Sequence, residues 1–496
     1  MKDITKIRLV TDCEKFFTEF EDEIKLFRHR VVLDPEGAPF NVIVNFNEEE
    51  NTVEASVECS VLSEKTYKIT EKTEQFSNNI SKIAKIKRIA KAAVYKFLSD
   101  ALGEEAPYGS LTGIRPTKLY HEFVAKGADA DGELTRLYVS PSKLALIKEI
   151  VNTQRAVYDV AEDEADLFVN IPICTSRCAY CSFISAELGR VSKYVPEYAS
   201  LLAEEIAAAR KMMADTGVRI RCVYVGGGTP TSLPDGEFAK VMEALAGTGC
   251  REFTVEAGRP DTITESKLKI MDETGVSRIS VNPQSFCDAT LERIGRKHTV
   301  RDFYEKYELA SKFSFDINVD LIAMLPGETV EVFADSVDRA VALAPTNLTV
   351  HTLALKKGSA LKLGNYDNTS ESDAAAMVDH AYSAAKRAGY APYYMYRQKY
   401  MSGNLENVGY CLPGKQCVYN VDIMEETATI VACGAGGISK LVDRKAGRVE
   451  RYADPKGLDV YLARGEEIWR RKEAFFASGG NTAQSDAAVE KSGGRI

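Results

Sequence analysis

Residues 166–185 read DLFVNIPICTSRCAYCSFIS. A short apolar run, DLFVNI at 166–171, is followed by a proline and then by Cys174, Cys178 and Cys181, spaced C-x3-C-x2-C. Such a run, bounded by turn residues, predicts a buried strand, with the three thiols on the loop at its carboxyl end. Three thiolates on one short loop suit an iron–sulfur cubane, which takes a soft ligand on each protein-bound iron. A structural zinc site takes four ligands, usually as two close pairs. No second pair of that kind follows, since Cys411 and Cys417 have five residues between them and lie far along the chain. On the residues alone, zinc and three unrelated core thiols remain the competing readings. Three cysteines leave one iron of a cubane without a protein ligand, and an open position belongs to catalysis rather than to structure.

The texture downstream is repetitive. Apolar runs at 166–171, 221–226, 252–256, 277–281, 315–321 and 347–352 predict strands, and amphipathic stretches near 194–214, 235–247, 264–273, 300–312 and 329–343 predict helices. Six such units demand parallel strands with right-handed crossovers, in a doubly wound sheet or an incomplete barrel.

Upstream the pattern differs. Residues 41–71 alternate apolar and polar residues around an acidic turn, which predicts two or more strands. Residues 78–101 place Ile80, Ile83, Ile86, Ile89, Ala93 and Phe97 at helical spacing, with lysines opposite. YGSLTGIRPTK at 108–118 is a Gly/Pro/Ser-rich loop carrying Arg115 and Lys118, and residues 140–164 predict a helix ending in a linker, AEDEAD. A further helix is expected at 373–390. Expected domains are therefore an α+β extension at 1–160, an α/β core at 161–370, a smaller C-terminal domain at 371–475 and a disordered tail at 476–496.

The chain has 496 residues, 45% hydrophobic and 27% charged, with a formal net charge of -9. That is ordinary globular usage. The acidic balance argues against nucleic acid as the partner. The sequence lacks an 18-residue apolar run and opens MKDITKIRLVTDCEKFF, so neither a membrane span nor a secretory signal is expected, and the expected location is the cytoplasm. Cysteines outside the cluster, such as Cys222 in RCVYVGGG, are expected as inert buried thiols. His29, His121 and His380 have no motif around them.

The C-x3-C-x2-C loop after the first strand resembles the radical S-adenosylmethionine (SAM) superfamily. Further stretches narrow the resemblance to the oxygen-independent coproporphyrinogen III oxidase (HemN-like) group: GGGTPT at 226–231, Glu256 in TVEA, RISVNPQSF at 278–286 with IGRKH at 294–298, and NVDLIAMLPGET at 318–329. The extension with YGSLTGIRPTKL is similar to the HemZ branch of that group. The resemblance implies a partial (β/α)6 barrel with flanking domains. It implies a [4Fe-4S] cluster held by Cys174, Cys178 and Cys181, its fourth iron open to SAM. For SAM it implies contacts from Phe168, Tyr180, Gly227, Gly228, Thr229, Glu256, Gln284, Arg296, Asp320 and Ala354. His298 falls in the GRKH stretch, and His351 ends the sixth strand near the expected cofactor.

The sequence departs from the group's pattern in several places. Phe168 stands for the usual Tyr, Asn170 for His, and Phe183 for the fourth cysteine of decarboxylating members. EAGRP replaces EANP, and NPQSF replaces GVQSF. The resemblance implies oxidative decarboxylation of coproporphyrinogen III to protoporphyrinogen IX, with Arg115, Lys118 and Lys297 as candidate partners for its carboxylates. A tetrapyrrole and a reduced flavodoxin- or ferredoxin-type electron donor are the implied partners. A HemW-like haem chaperone is the alternative, followed by a related radical SAM methyltransferase or haem-degrading enzyme.

Overall fold

The computed structural model describes residues 4–73, 79–113, 115–182, 186–355, 359–364, 366, 370–398, 401–444 and 446–480. The chain forms two compact units, Met1–Val151 with Tyr396–Glu406, and Asn152–Met395 with Asn407–Ile496.

In the first unit, strands β1 (Thr5–Thr11), β2 (Val31–Leu33), β3 (Ala38–Asn47), β4 (Thr52–Cys59) and β5 (Ser63–Lys72) make one sheet in the order β2-β1-β3-β4-β5. Alternation in β4 buries Val53, Ala55, Val57 and Cys59 on one face. Helices α1 (Phe17–Ile24) and α2 (Asn79–Leu102) supply the rest of that core. The buried stripe of α2 includes Ile86, Ile89, Ala93 and Phe97, as expected, but Ile83 is 43% exposed because the packed stripe begins only at Ile86. Helices α3 (Pro116–Ala125), α4 (Ala130–Arg136) and α5 (Pro141–Gln154) follow. Pro116 opens α3, a position where its missing N–H costs nothing, so Lys118 is helical rather than in the loop. The returning segment brings Arg397, whose guanidinium lies 4.1 Å above the Tyr108 ring and donates to the carbonyl of Leu111.

The second unit runs β6 (Glu164–Ile171), β7 (Ile173–Cys174), β8 (Ala186–Glu187), α6 (Leu188–Val191), α7 (Val195–Asp215), β9 (Arg219–Gly227), α8 (Asp235–Leu245) and β10 (Glu252–Val255). Then come α9 (Glu265–Glu273), β11 (Arg278–Ser280), α10 (Asp288–Arg293), α11 (Val300–Ala310), β12 (Asp316–Ala323), α12 (Val330–Ala342), β13 (Asn347–Thr352), α13 (Ala360–Leu363) and α14 (Glu371–Arg387). The chain ends with β14 (Ala391–Tyr396), β15 (Asn407–Cys411), α15 (Val418–Glu425), β16 (Thr429–Cys433), β17 (Ile438–Asp443), β18 (Arg448–Ala453), α16 (Leu458–Arg464) and α17 (Glu467–Ala477).

The six expected strands are present, all parallel, in the order β13-β12-β11-β10-β9-β6. β6 does not pair with β13. Instead β16 adds in parallel beside β6 and β15 adds antiparallel beside β13, so this is a partial (β/α)6 barrel with extended edges. The expected C-terminal domain at 371–475 is therefore not a separate body: its strands complete the core sheet. The expected linker at 161–166 also differs. Glu164 opens β6, and Asp166 is fully buried within it. The expected tail falls partly on α17, and 481–496 lie outside the described residues. Among the described residues no helix is long and apolar enough to cross a membrane.

Alternation sorts the strand side chains. Leu167, Val169, Ile171, Val223, Val225, Phe253 and Val255 form the apolar face, each fully or nearly fully buried and worth about 1.5–3 kcal/mol for the larger ones. The opposite face carries Asp166, Phe168 and Asn170 on β6, Cys222, Tyr224 and Gly226 on β9, and Glu252 and Thr254 on β10. The residues of this polar face that lie near the strands' carboxyl ends build the site.

Candidate cluster and nucleotide site

The loop after β6 carries the three cysteines. Cys174 ends β7, with its Sγ 3.4 Å from Thr229 Oγ1. Cys178 is buried, and its carbonyl accepts from the Cys181 N–H at 3.0 Å, closing the loop into a turn. The Ala179 N–H donates to the Ile294 carbonyl at 2.9 Å, and the Ala179 carbonyl accepts from Leu361 at 3.1 Å. The loop is thus tied to the ends of α10 and α13. Burial pushes the Tyr180 phenol well above its usual range; Arg296 beside it works the other way, and the Cys178 and Cys181 thiols add to the rise.

The Gly226–Thr229 turn packs directly against that loop. Gly228 N–H donates to Ile171 O and Thr229 N–H to Ile173 O, both at 2.8 Å. Gly227 has φ +106°, and a Cβ there would meet Asn170 Oδ1 at 2.2 Å. Only glycine fits this conformation and this approach. The side-chain nitrogen of Asn170 donates to Ala435 O at 2.5 Å. Asn170 thus links the turn to the segment after β16.

Acidic groups line the next strand ends. Glu256 follows β10 and accepts from Tyr224 Oη at 2.6 Å. Burial, followed by the nearby Asp320 charge, pushes Glu256 up to about 7 against the hydrogen bond from Tyr224. Asp320 on β12 accepts from Asn282 at 2.8 Å and from Asn318 at 2.7 Å, and His351 Nε2 lies 3.7 Å away. Burial acts to raise Asp320, but its hydrogen bonds to His351 and Asn318 prevail and hold it below the usual carboxylate range. The two carboxylates are therefore pushed apart by their surroundings. Gln284 is buried at φ +68°, its N–H bound to Asp320 O at 3.1 Å. A non-glycine residue in that region is a mark of local strain.

Arg296 is buried and donates to Gly258 O at 3.3 Å. His298 beside it is pushed down to about 4 by burial and by Arg296, so it is neutral at pH 7. Phe168 sits deeper, stacked on Tyr419 of α15 with centroids 5.9 Å apart, and Tyr224 stacks on the same ring at 4.3 Å. Ala354 is half-buried just past β13, and Lys297 is exposed. Arg115 and Lys118 belong to the first unit. Phe183 lies outside the described residues.

Two features were not legible in the sequence. Arg259 reaches Cys178, and the only signal for it is the departure EAGRP at 256–260. Deeper in the barrel, Asp166, Cys222 and Asp422 bring one ligand-type atom each within 4.8 Å. Arg221 Nε already holds Asp422 at 2.9 Å, and burial, with Asp422 next, raises Asp166 far above its usual range.

The Radical SAM superfamily model matches residues 170–340. Proteins of that superfamily use a [4Fe-4S] cluster with one open iron, and SAM. The residues present fit both groups: three thiols on one eight-residue loop offer the soft donor set, and the glycine turn at 226–228 brings bare backbone beside Cys174. The chain is similar to the oxygen-independent coproporphyrinogen-III oxidase-like protein HemZ of Bacillus subtilis, 38% identical over 422 residues, covering 81% of this chain and 83% of that protein. It is also similar to the heme chaperone HemW of Bacillus subtilis, 34% identical over 196 residues, covering 38% of this chain and 50% of that one. The fold matches the structure of Escherichia coli HemN, with a TM-score of 0.51 at 20% identity, covering 64% of this chain and 72% of that one. With its thiol loop, glycine turn and strand-end carboxylates on one barrel mouth, and with HemZ-level identity along most of its length, the chain belongs to the HemZ group of HemN-like radical SAM proteins.

Proposed function

We propose that this chain catalyses the oxidative decarboxylation of coproporphyrinogen III to protoporphyrinogen IX. The observation that carries the reading is the extent of the HemZ match. At 81% of the chain it exceeds what residues 152–496 supply, so it reaches into the N-terminal unit. In this reading each of two propionates loses a β-hydrogen, carbon dioxide and one electron, leaving a vinyl group.

Cys174, Cys178 and Cys181 hold the cluster. The Gly227–Thr229 turn and Tyr180 hold SAM, with Glu256, Gln284, Arg296, Asp320 and Ala354 around it. When bound, the reduced cluster and SAM supply a carbon-centred radical able to take a hydrogen atom. Glu256 would accept a hydrogen bond from a ribose hydroxyl, and Asp320, kept ionised by His351 and Asn318, would offer a second acceptor. Phe168, Tyr224 and Tyr419 stack on one another on the inner face of the barrel beneath the site. Exposed Lys297 offers positive charge for an anionic substrate. The electron donor in this reading is a reduced flavodoxin or ferredoxin, and the setting is the cytoplasm.

Anaerobically reconstituted protein, given SAM, a reductant and coproporphyrinogen III, is expected to form mono- and divinyl products. SAM cleavage with no tetrapyrrole product would remove the substrate and leave the superfamily chemistry. The HemW similarity across the core supports a second reading, a haem-binding chaperone. Stoichiometric haem binding without decarboxylation is the result that favours it.

A further inference from the structure

Arg259 is 3% exposed and its guanidinium is fully engaged at the cysteine loop. Nη1 donates to the carbonyl of Ser176 at 3.1 Å and lies 3.6 Å from Cys178 Sγ, within hydrogen-bond reach of a sulfur acceptor. Nε and Nη2 grip the two oxygens of Asp261 at 3.1 and 3.2 Å. Asp261 in turn accepts from the Thr175 hydroxyl at 3.1 Å. Guanidinium and carboxylate therefore clasp the loop at Thr175 and Ser176, between the first and second cysteines, and at the second cysteine, Cys178, itself.

We propose that Arg259 is a positioning residue for the cluster, one that fixes the Cys174–Cys178 loop and raises the reduction potential by donating to the Cys178 sulfur. The physical basis is direct. Reduction adds one negative charge to the cluster and its thiolates. A buried N–H donor on a ligating sulfur stabilises the more negative state more, and low local polarity amplifies the difference. An arginine suits the task because its planar fork serves a sulfur, a carbonyl and a carboxylate at once. Arg259 stands in EAGRP at 256–260, immediately before Pro260, which starts a short 3₁₀ turn.

The proposal rests on Cys178 being a cluster ligand, as read under the proposed function. The test compares the full-length wild type, Arg259→Gln and Arg259→Lys after anaerobic reconstitution. The readouts are iron and sulfide per chain, the midpoint potential from an EPR-monitored redox titration, and the unfolding temperature of the cluster-free chains. Arg259→Gln is expected to shift the potential downward by an amount equal to a tenfold change in the reduced-to-oxidised ratio, about 59 mV for one electron. Arg259→Lys is expected to recover part of that shift. Loss of the cluster in Arg259→Gln, with retention in Arg259→Lys and unchanged cluster-free unfolding, also supports it through the clasp. Full cluster content at the wild-type potential in both variants overturns it, as does unfolding of both cluster-free variants, which would make Arg259 an ordinary core residue. If the wild type takes up no cluster, the ligand reading falls and the proposal falls with it; if only the variants match the wild type, the proposal alone falls.

Discussion

The hydroxyl of Tyr224 donates to Oε1 of Glu256 across 2.6 Å, from one barrel strand to the end of the next. This bond does not keep the carboxyl at its ordinary value: burial, then the Asp320 charge, pushes it up to about 7. In the unfolded chain the same group ionises near pH 4.3. Between those values the folded state holds a proton that the unfolded state releases. The stability linked to Glu256 is therefore complete below the unfolded value and declines as pH rises towards 7. Glu256→Gln removes the titration, so its unfolding temperature relative to wild type is expected to improve from pH 5 to pH 8. A difference that stays flat across that range would remove the argument. The same variant should bind SAM about tenfold to a hundredfold more weakly, the cost of one charged hydrogen bond of about 1.5–3 kcal/mol. Calorimetric titration of the anaerobic cluster-loaded protein measures it, and unchanged affinity would exclude Glu256 from the ribose site.

Gly227 tests the turn. Its φ of +106° is closed to side chains, and its added Cβ would strike the Asn170 amide at 2.2 Å. Gly227→Ala is expected to cost about 1–3 kcal/mol in urea unfolding, from backbone strain and the displaced amide together. Gly103→Ala is the internal control. Gly103 has φ +67° but open space around it, so it carries the strain without the collision and should lose less. Equal losses at both positions would show that the Asn170 contact does not matter.

What the sequence showed, and what it hid, follows from distance along the chain. Strand positions were legible because apolar faces alternate locally: β13 (Asn347–Thr352) lies where 347–352 was expected, and the other five core strands overlap their expected ranges. The cysteines announced themselves by spacing, and the Gly226–Gly228 turn and Glu256 by the resemblance of the short motifs GGGTPT and TVEA. The clasp of Arg259 on Cys178 joins residues 81 apart, and the Arg221–Asp422 pair joins residues 201 apart. No local pattern encodes either. Asp166 falls where the acidic stretch AEDEAD meets the expected first strand, and its neighbours Glu162, Asp163 and Glu164 give no sign that it is buried. Its burial is decided by β16 pairing beside it, 264 residues later, at Ile430↔Asp166 and Val431↔Leu167. The same pairing merged the expected C-terminal domain into the barrel sheet.

The cysteines separate by role. Alanine at Cys174, Cys178 or Cys181 is expected to reduce reconstituted iron to a small fraction of the wild-type content. Cys250→Ala, at a half-buried thiol in the loop before β10, should leave it unchanged. Cluster-free unfolding temperatures should remain close to wild type in the Cys174 and Cys181 variants, whose thiols are only half-buried. Iron retained in all three loop variants would refute the ligand set. Iron lost in Cys250→Ala would point to a different one.

Lys472 of α17 is buried between two carboxylates. It binds Glu205 of α7 and Asp454, the latter at 3.0 Å, and also donates to the carbonyl of Ala432. Glu205 further accepts from the Gly434 N–H at 2.8 Å and from the Tyr461 hydroxyl at 2.5 Å. This one cation therefore ties the last helices and strand β16 to α7. Lys472→Met keeps the volume and removes the charge, leaving two buried carboxylates facing each other. The expected loss is about 3–5 kcal/mol, the usual cost of breaking a buried pair from one side. Burial already raises Asp454 to about 7, with Lys472 opposing the rise. Without the lysine Asp454 favours the protonated form more strongly in the folded state. The folded variant then binds more protons than the unfolded chain, so its stability rises as pH falls. The deficit relative to wild type should be largest at pH 8 and shrink towards pH 5, as read from urea unfolding at each pH. A deficit below about 1 kcal/mol, in the range of an exposed pair, or one that does not change with pH, would mean that the carboxylates find other partners when the ammonium is gone.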